Sequence, residues 1–202
     1  MTVFEMIFDP ALANNGVHAI SLVEKPAIES NFVALKDMPL QLAAVKERHV
    51  VLGAVLIPNK PILRRDPKSQ EEFYIFFSKE TIEQVAEFYM LRGLQAHTTV
   101  EHEVNAKGIT LVETWLVADA EKDKAAAYGL QLPVGTWVGA MKVENDVVWD
   151  EFIKEGKLNG FSIEGYFGME VRDEMLAQAK RLPAPEEKKT LGSLIEELSN
   201  KF

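Results

Sequence analysis

A succession of short apolar and β-branched runs, each cut off by turn residues, constrains this chain more than any other feature. Val3 to Phe8, Val17 to Val23 and Asn31 to Lys36 are the first three. His49 to Ile57 is longer and is closed by Pro58-Asn59 and Pro61. Runs of about four to eight such residues, bounded by Gly, Pro or Asn, read as strands. Phe73 to Phe77, Trp137 to Val143 and Gly160 to Val171 extend the series. Thr98 to Val104 and Ile109 to Val117 flank Asn105-Ala106-Lys107-Gly108 and read as a hairpin. Before residue 172, three places carry helical spacing. Ser78 can cap a helix from about Lys79 to Arg92, with Ile82, Val85, Ala86 and Tyr89 on one face and Gly93 beyond its end. Ala120 to Tyr128 is a short helix stopped by Gly129. Asp146 to Glu155 turns Val148, Trp149, Phe152 and Ile153 inward and stops at Gly156. Asn59 to Glu72, with prolines and many charges, reads as an exposed loop, and Asp37 to Arg48 fits a loop or a short helix equally. The expectation is a mainly β domain with helices (α+β) over residues 1–172, mostly antiparallel and closing, or nearly closing, into a barrel.

The character changes after Val171. Asp173 to Arg181 is polar and helical in composition. Leu182 to Lys189 is a Pro-rich charged linker, and Thr190 to Phe202 carries the stripe Leu191, Leu194, Ile195 and Leu198. Residues 173–202 are therefore expected to form a polar linker and a short amphipathic C-terminal helix.

Composition excludes several classes of function. The 202 residues contain no cysteine, which removes Cys nucleophiles, Cys-ligated zinc and disulfide frameworks. Lys plus Arg is 22 against 31 for Asp plus Glu, a net charge of −9. A sequence-independent grip on nucleic acid or an anionic membrane needs a basic face instead. No apolar run approaches the roughly 20 residues that span a bilayer. The start Met1-Thr2-Val3-Phe4-Glu5 lacks the basic and apolar regions of a signal peptide. The expectation is a soluble intracellular protein. No phosphate-cradling glycine motif and no metal-ligand spacing of His, Asp or Glu occurs, so neither a cofactor nor a metal is expected.

Two places combine the residue types that hydrolytic chemistry needs. Along Gly160-Phe161-Ser162-Ile163-Glu164-Gly165-Tyr166-Phe167, side chains alternate. Phe161, Ile163, Phe167 and Met169 face one way, while Ser162, Glu164 and Tyr166 face the other. A solvent-facing polar stripe has the same pattern. In the expected hairpin, Val104 opposite Ile109 puts His102 opposite Leu111 and makes Glu113 its diagonal neighbour. A carboxylate beside an imidazole fixes its tautomer and stabilises its protonated form. A core histidine paired with a structural acid gives the same pattern and is the commoner case. His97 reads as a loop residue and His49 as exposed. Trp115, Trp137 and Trp149 read as core.

Several longer motifs carry a family resemblance. They are Val100-Glu101-His102, Thr110-Leu111-Val112-Glu113-Thr114-Trp115, Asp123-Lys124-Ala125, Gly129-Leu130-Gln131-Leu132-Pro133-Val134-Gly135-Thr136-Trp137 and Gly160-Phe161-Ser162-Ile163-Glu164-Gly165. Upstream, Ala19-Ile20-Ser21-Leu22-Val23-Glu24-Lys25-Pro26-Ala27-Ile28 and Val55-Leu56-Ile57-Pro58-Asn59-Lys60-Pro61-Ile62 belong to the same set. Together they make most of residues 16–168 resemble the XkdF-like prohead serine proteases of tailed phages, which look distantly related to the herpesvirus assemblins.

The resemblance implies a β-barrel surrounded by helices, with Ser162 as nucleophile and His102 as general base. In the wider group the third member is a His or an acid on a strand resembling Ile20-Ser21-Leu22-Val23. Here that strand precedes the serine and histidine strands, which implies a circular permutation. The matching position is Ala19, with His18 one step away on the opposite strand face. Glu113, favoured by the hairpin, and Glu164, favoured by nearness to Ser162, are the local alternatives to His18, and a Ser–His dyad is the remaining form. By analogy the oxyanion donors lie in Ala27 to Ser30. The implied substrates are phage scaffold and major capsid proteins, cleaved in the host cytoplasm inside the assembling prohead by a homodimer that uses no cofactor, nucleic acid or membrane. A non-enzymatic capsid-assembly or scaffold protein on the same fold is the rival reading, because fold does not fix chemistry.

Overall fold

The computed structural model describes residues 2–30, 33–34, 48–172 and 174. Their backbone groups are satisfied mainly by three four-stranded sheets. The apolar alternation near both ends builds the first sheet. In it β1 (Val3–Ile7) lies parallel to β6 (Glu72–Phe76) and antiparallel to β12 (Gly168–Val171), and β5 (Ile62–Arg65) pairs with the far edge of β6. The second sheet is wholly antiparallel, with β3 (Val33–Ala34), β4 (Val50–Leu56), β10 (Trp137–Val143) and β9 (Ile109–Leu116) in that order. All of β4 and nearly all of β10 are buried, as continuous apolar runs in central strands require. The third sheet runs β11 (Gly160–Tyr166), β2 (Gly16–Val23), β7 (Thr98–Val100) and β8 (Val104–Asn105), with β2 and β7 parallel.

The first helix follows its sequence signals closely, whereas the one expected over Ala120 to Tyr128 shortens to four residues. α1 (Lys79–Leu91) begins at Ser78, whose hydroxyl accepts from the Thr81 N–H at 3.3 Å. Its Ile82, Val85, Ala86 and Tyr89 are buried against β2 and β10, and the Tyr89 ring meets Trp137 edge-on at 5.6 Å. α2 (Lys124–Ala127) is capped by Asp123 and ended by Gly129 at φ 81°. The segment after β10 forms a wider π-helical turn, Val148–Ile153, that buries the four residues expected to face inward. One hydrophobic core links all three sheets, with Trp137, Trp149, Phe152 and Phe161 among its largest fully enclosed side chains. Each such side chain contributes roughly 1.5–3 kcal/mol by leaving water.

Several expectations are corrected. The molecule is mainly β with few helices, but none of the three sheets closes on itself, so no hydrogen-bonded barrel forms among the described residues. One reason is visible at Phe167. The expected single strand from Gly160 to Val171 breaks there, and its halves join different sheets. Met169 is consequently exposed rather than on the buried face. The expected hairpin does not form either. β8 folds back on β7, and β9 leaves to pair with β10. Asn59 to Glu72 is not all loop, since Ile62–Arg65 adds a strand to β6. The expectations for residues 37–47 and for the linker and C-terminal helix over 175–202 lie outside the described residues. Among the described residues no helix is long and apolar enough to cross a membrane.

Candidate active site

Ser162 is fixed by strand pairing. β11 runs antiparallel to β2 with Phe161 opposite Leu22, Ser162 opposite Ser21 and Glu164 opposite Ala19. β2 runs parallel to β7 with Ser21 beside Thr99. Phe161, Leu22 and Val100 share the fully buried face. Ser162, Ser21 and Thr99 therefore stand abreast on the other face, with Glu164 two residues further along. Register then slips between Glu164 and Gly165, where β2 bulges by one residue, His18.

His102 comes to the same face through a turn. Glu103 N–H bonds the Val100 carbonyl at 3.1 Å, and the two residues between, Glu101 and His102, have φ of 52° and 63°. Positive φ at two successive central residues is the type I′ requirement, normally met by Asn and Gly. For other L-residues it costs roughly 1–2 kcal/mol each. Three bonds hold the turn against that cost. Glu101 N–H donates to the Leu22 carbonyl and His102 N–H to the buried Ser21 hydroxyl, both at 3.0 Å, while the Glu101 carboxylate accepts from the Glu24 N–H at 2.5 Å. Ser21 thus touches the histidine backbone while facing Ser162 across the ladder.

The His102 ring meets Glu164. Its Nδ1 lies 3.3 Å from Oε1, and the side chains are 39% and 32% exposed. The Thr99 hydroxyl donates to the same carboxylate oxygen. An ionised carboxylate only accepts, so Nδ1 carries the hydrogen and the lone pair of the neutral ring sits on Nε2. The face therefore carries a hydroxyl nucleophile candidate, an imidazole and a carboxylate in contact with it, flanked by Thr99 and Ser21.

The other candidates lie elsewhere. Glu113, on β9, faces Ala140 of β10 and pairs with Lys124, whose Nζ is 2.5 Å from Oε1. It is separated from the histidine turn because β9 pairs with β10 instead of β7. His18 bonds the Asn14 carbonyl through Nε2 at 3.0 Å and meets Tyr166 edge-on at 5.4 Å. It borders an open cleft that Thr99 and Glu164 also line. His49, expected to be exposed, stacks on Trp149 at 4.7 Å with its Nδ1 3.4 Å from Asp146. The turn after β2 is closed by Glu29 N–H on the Pro26 carbonyl at 2.8 Å. Its Ala27 and Ile28 line a cavity of about 160 Å³ that Ser162 and Arg64 also border. Among the described residues no three His, Asp or Glu side chains gather into a metal-binding group.

Sequence reasoning passed over Thr99, Ser21 and Arg64. Alternation alone signals that Ser21 shares a face with Ala19, but the neighbours of that face come from long-range pairing. Arg64 sat in a segment whose charges hid a strand.

A family model described as "Putative phage serine protease XkdF" matches residues 40–170, well over half of the chain. The span includes His102, Glu113, Ser162 and Glu164 and begins beyond β2. No curated protein and no solved structure matches.

Proposed function

The chain belongs to the XkdF family of phage serine proteases, and from that premise we propose that it is an endopeptidase that cleaves scaffold and major capsid proteins during prohead maturation. Ser162 is the nucleophile, His102 the general base and Glu164 the orienting acid. The observation that carries this reading is the contact of His102 Nδ1 with Glu164, two residues along the same strand face from Ser162. That contact is at the long end of hydrogen bonding, as unliganded catalytic pairs often are before substrate tightens them.

Ser162 Oγ attacks the scissile carbonyl carbon while its proton passes to His102 Nε2. The imidazolium so formed is stabilised by Glu164, which stays ionised. When the tetrahedral intermediate collapses, the C–N bond breaks and the proton moves from Nε2 to the leaving amine. Water then attacks the acyl-enzyme, giving its proton to the same nitrogen, and Ser162 is regenerated. Backbone N–H groups in Ala27 to Ser30 serve the developing oxyanion. In favour of this, the turn packs against Gly160, two residues before Ser162, where an added Cβ would meet Pro26 and the Ser30 carbonyl oxygen.

The distant kinship to assemblins belongs to the same reading, with a circular permutation, and so does a homodimer acting in the host cytoplasm. The order of β2 ahead of β7 and β11 fits that permutation.

Co-expression with the neighbouring scaffold and capsid genes tests the function. Wild type should yield shortened products by mass spectrometry, and Ser162→Ala should leave every chain intact. Equal processing by both proteins would remove Ser162 as the nucleophile. Intact chains in both would favour a non-enzymatic assembly role.

A further inference from the structure

Lys60 turns its charge inward, onto a backbone carbonyl. It lies in the connection from β4 to β5, between Asn59, whose N–H donates to the Phe77 carbonyl at 2.8 Å, and Pro61, whose ring fixes φ. From there its ammonium donates to the Ile28 carbonyl at 2.5 Å and lies 3.3 Å from Glu29 Oε2. The side chain is 23% exposed, whereas a lysine normally keeps its head group in water. It is held against the turn that follows β2.

The conformation of that turn shows what is being held. Glu29 N–H closes on the Pro26 carbonyl, and neither central residue, Ala27 or Ile28, has a positive φ. A hydrogen-bonded turn of this kind is type I. Glu29 follows it at φ 49°. A right-handed residue followed by a left-handed one makes successive N–H groups converge on a concavity that binds anions. The three groups here belong to Ile28, Glu29 and Ser30. That of Glu29 closes the turn. Those of Ile28 and Ser30 have no hydrogen-bond partner among the described residues. Ile28 is 3% exposed, and a buried N–H left unpaired is rare. The turn also stands on the face of Ser162. Gly160 shares that face by alternation, and a Cβ added to it would meet Pro26 at 2.5 Å and the Ser30 carbonyl oxygen at 3.0 Å.

We propose that Lys60 is a positioning residue for the reaction, which keeps the Ile28 and Ser30 N–H groups aimed at the oxyanion of the tetrahedral intermediate. The inference rests on the protease reading with Ser162 as nucleophile. The Ile28 carbonyl and the Glu29 N–H belong to one peptide plane. Anchoring the carbonyl fixes the plane from which the left-handed step at Glu29 starts. Left-handed backbone is unfavourable for a glutamate. Without the anchor the turn relaxes and the two donors part. Lys60 acts through the turn, so its effect falls on the chemical step and not on ground-state binding.

Labelling of Ser162 in the full chain by an alkyl fluorophosphonate tests this. Its phosphoryl oxygen takes the oxyanion position, and its kinetics separate binding (KI) from phosphonylation (kinact). Lys60→Met should lower kinact by about 10- to 10²-fold, less than outright loss of a donor, and leave KI within about twofold. Lys60→Arg, which keeps a charged donor, should restore kinact to within about fivefold of wild type. A purely structural lysine would change the melting temperature and the fraction of chains labelled, but not the rate constant of the chains that stay folded. Lys60→Gln, uncharged and one atom shorter, supplies the same comparison should the methionine variant fail to fold. Unchanged kinact in the neutral variants would overturn the inference, as would an arginine variant as slow as they are. Absence of labelling at Ser162 in wild type would instead overturn the protease reading, and the assignment of Lys60 with it.

Discussion

His102 sits in a backbone conformation that L-residues other than Asn and Asp avoid, at φ 63° directly after Glu101 at 52°. Strain of this kind persists where surroundings over-determine it, and here Ser21, Leu22 and Glu24 do so. Magnitudes decide what replacement should do. Glycine at 102 would relieve roughly 1–2 kcal/mol of left-handed strain. Against this stand about 0.5–1 kcal/mol for glycine's extra unfolded freedom and up to about 1 kcal/mol for the partly exposed hydrogen bond to Glu164. His102→Gly is therefore expected to hold stability within about 1 kcal/mol of wild type while losing proteolysis. Urea melts and a processing assay measure both, and a loss beyond about 2 kcal/mol would mark the histidine as structural. The placement of Ser162 and Glu164 on one face was legible in strand alternation. Which carboxylate meets His102 was not, because the parallel pairing of β2 with β7, far apart in sequence, sets the neighbour.

At the scale of elements, β11 does two jobs: it closes the core with Phe161 and presents Ser162 and Glu164 on its other face. Where β2 bulges against it, Gly165 lies so close to Gly16 that an added Cβ would overlap the Gly16 carbonyl oxygen. Backbone on both sides cannot yield cheaply. Gly165→Ala should thus destabilise by about 1–3 kcal/mol and pull Glu164 off the histidine, seen as a lower urea midpoint together with slower fluorophosphonate labelling. Unchanged values of both would show that the bulge is free to shift. Glycines flanking Ser162 were readable as points of close approach, and the α1 cap and face were readable from Ser78 and a four-residue stripe. Sheet partners were not. The turn Glu101–Glu103 carries no Gly or Asn to announce it, so the chain around it read as one strand. Pro61 and a dense charge cluster hid β5, whose inward Arg64 breaks the apolar alternation that signals a strand.

Across the whole molecule, three sheets share one core, and two of them contain a parallel pair between strands distant in sequence. Mainly-β character follows from local runs of β-branched residues and was legible. Closure into a barrel depends on which edges meet, a property of the assembled chain, and the strand break at Phe167 directs β12 to β1 instead of extending β11. The consequence for function is that β2, β7 and β11 bring residues 21, 99, 102, 162 and 164 to one face from three separate stretches of chain. The rate of fluorophosphonate labelling, with the modified residue located by mass spectrometry, tests that assembly most directly. Wild type should be labelled on Ser162. Glu164→Gln should slow the reaction by about 10²- to 10⁴-fold, the scale on which losing an orienting acid acts, and Glu113→Gln should leave it within about twofold. Labelling at another residue, or a loss confined to Glu113→Gln, would contradict the site described.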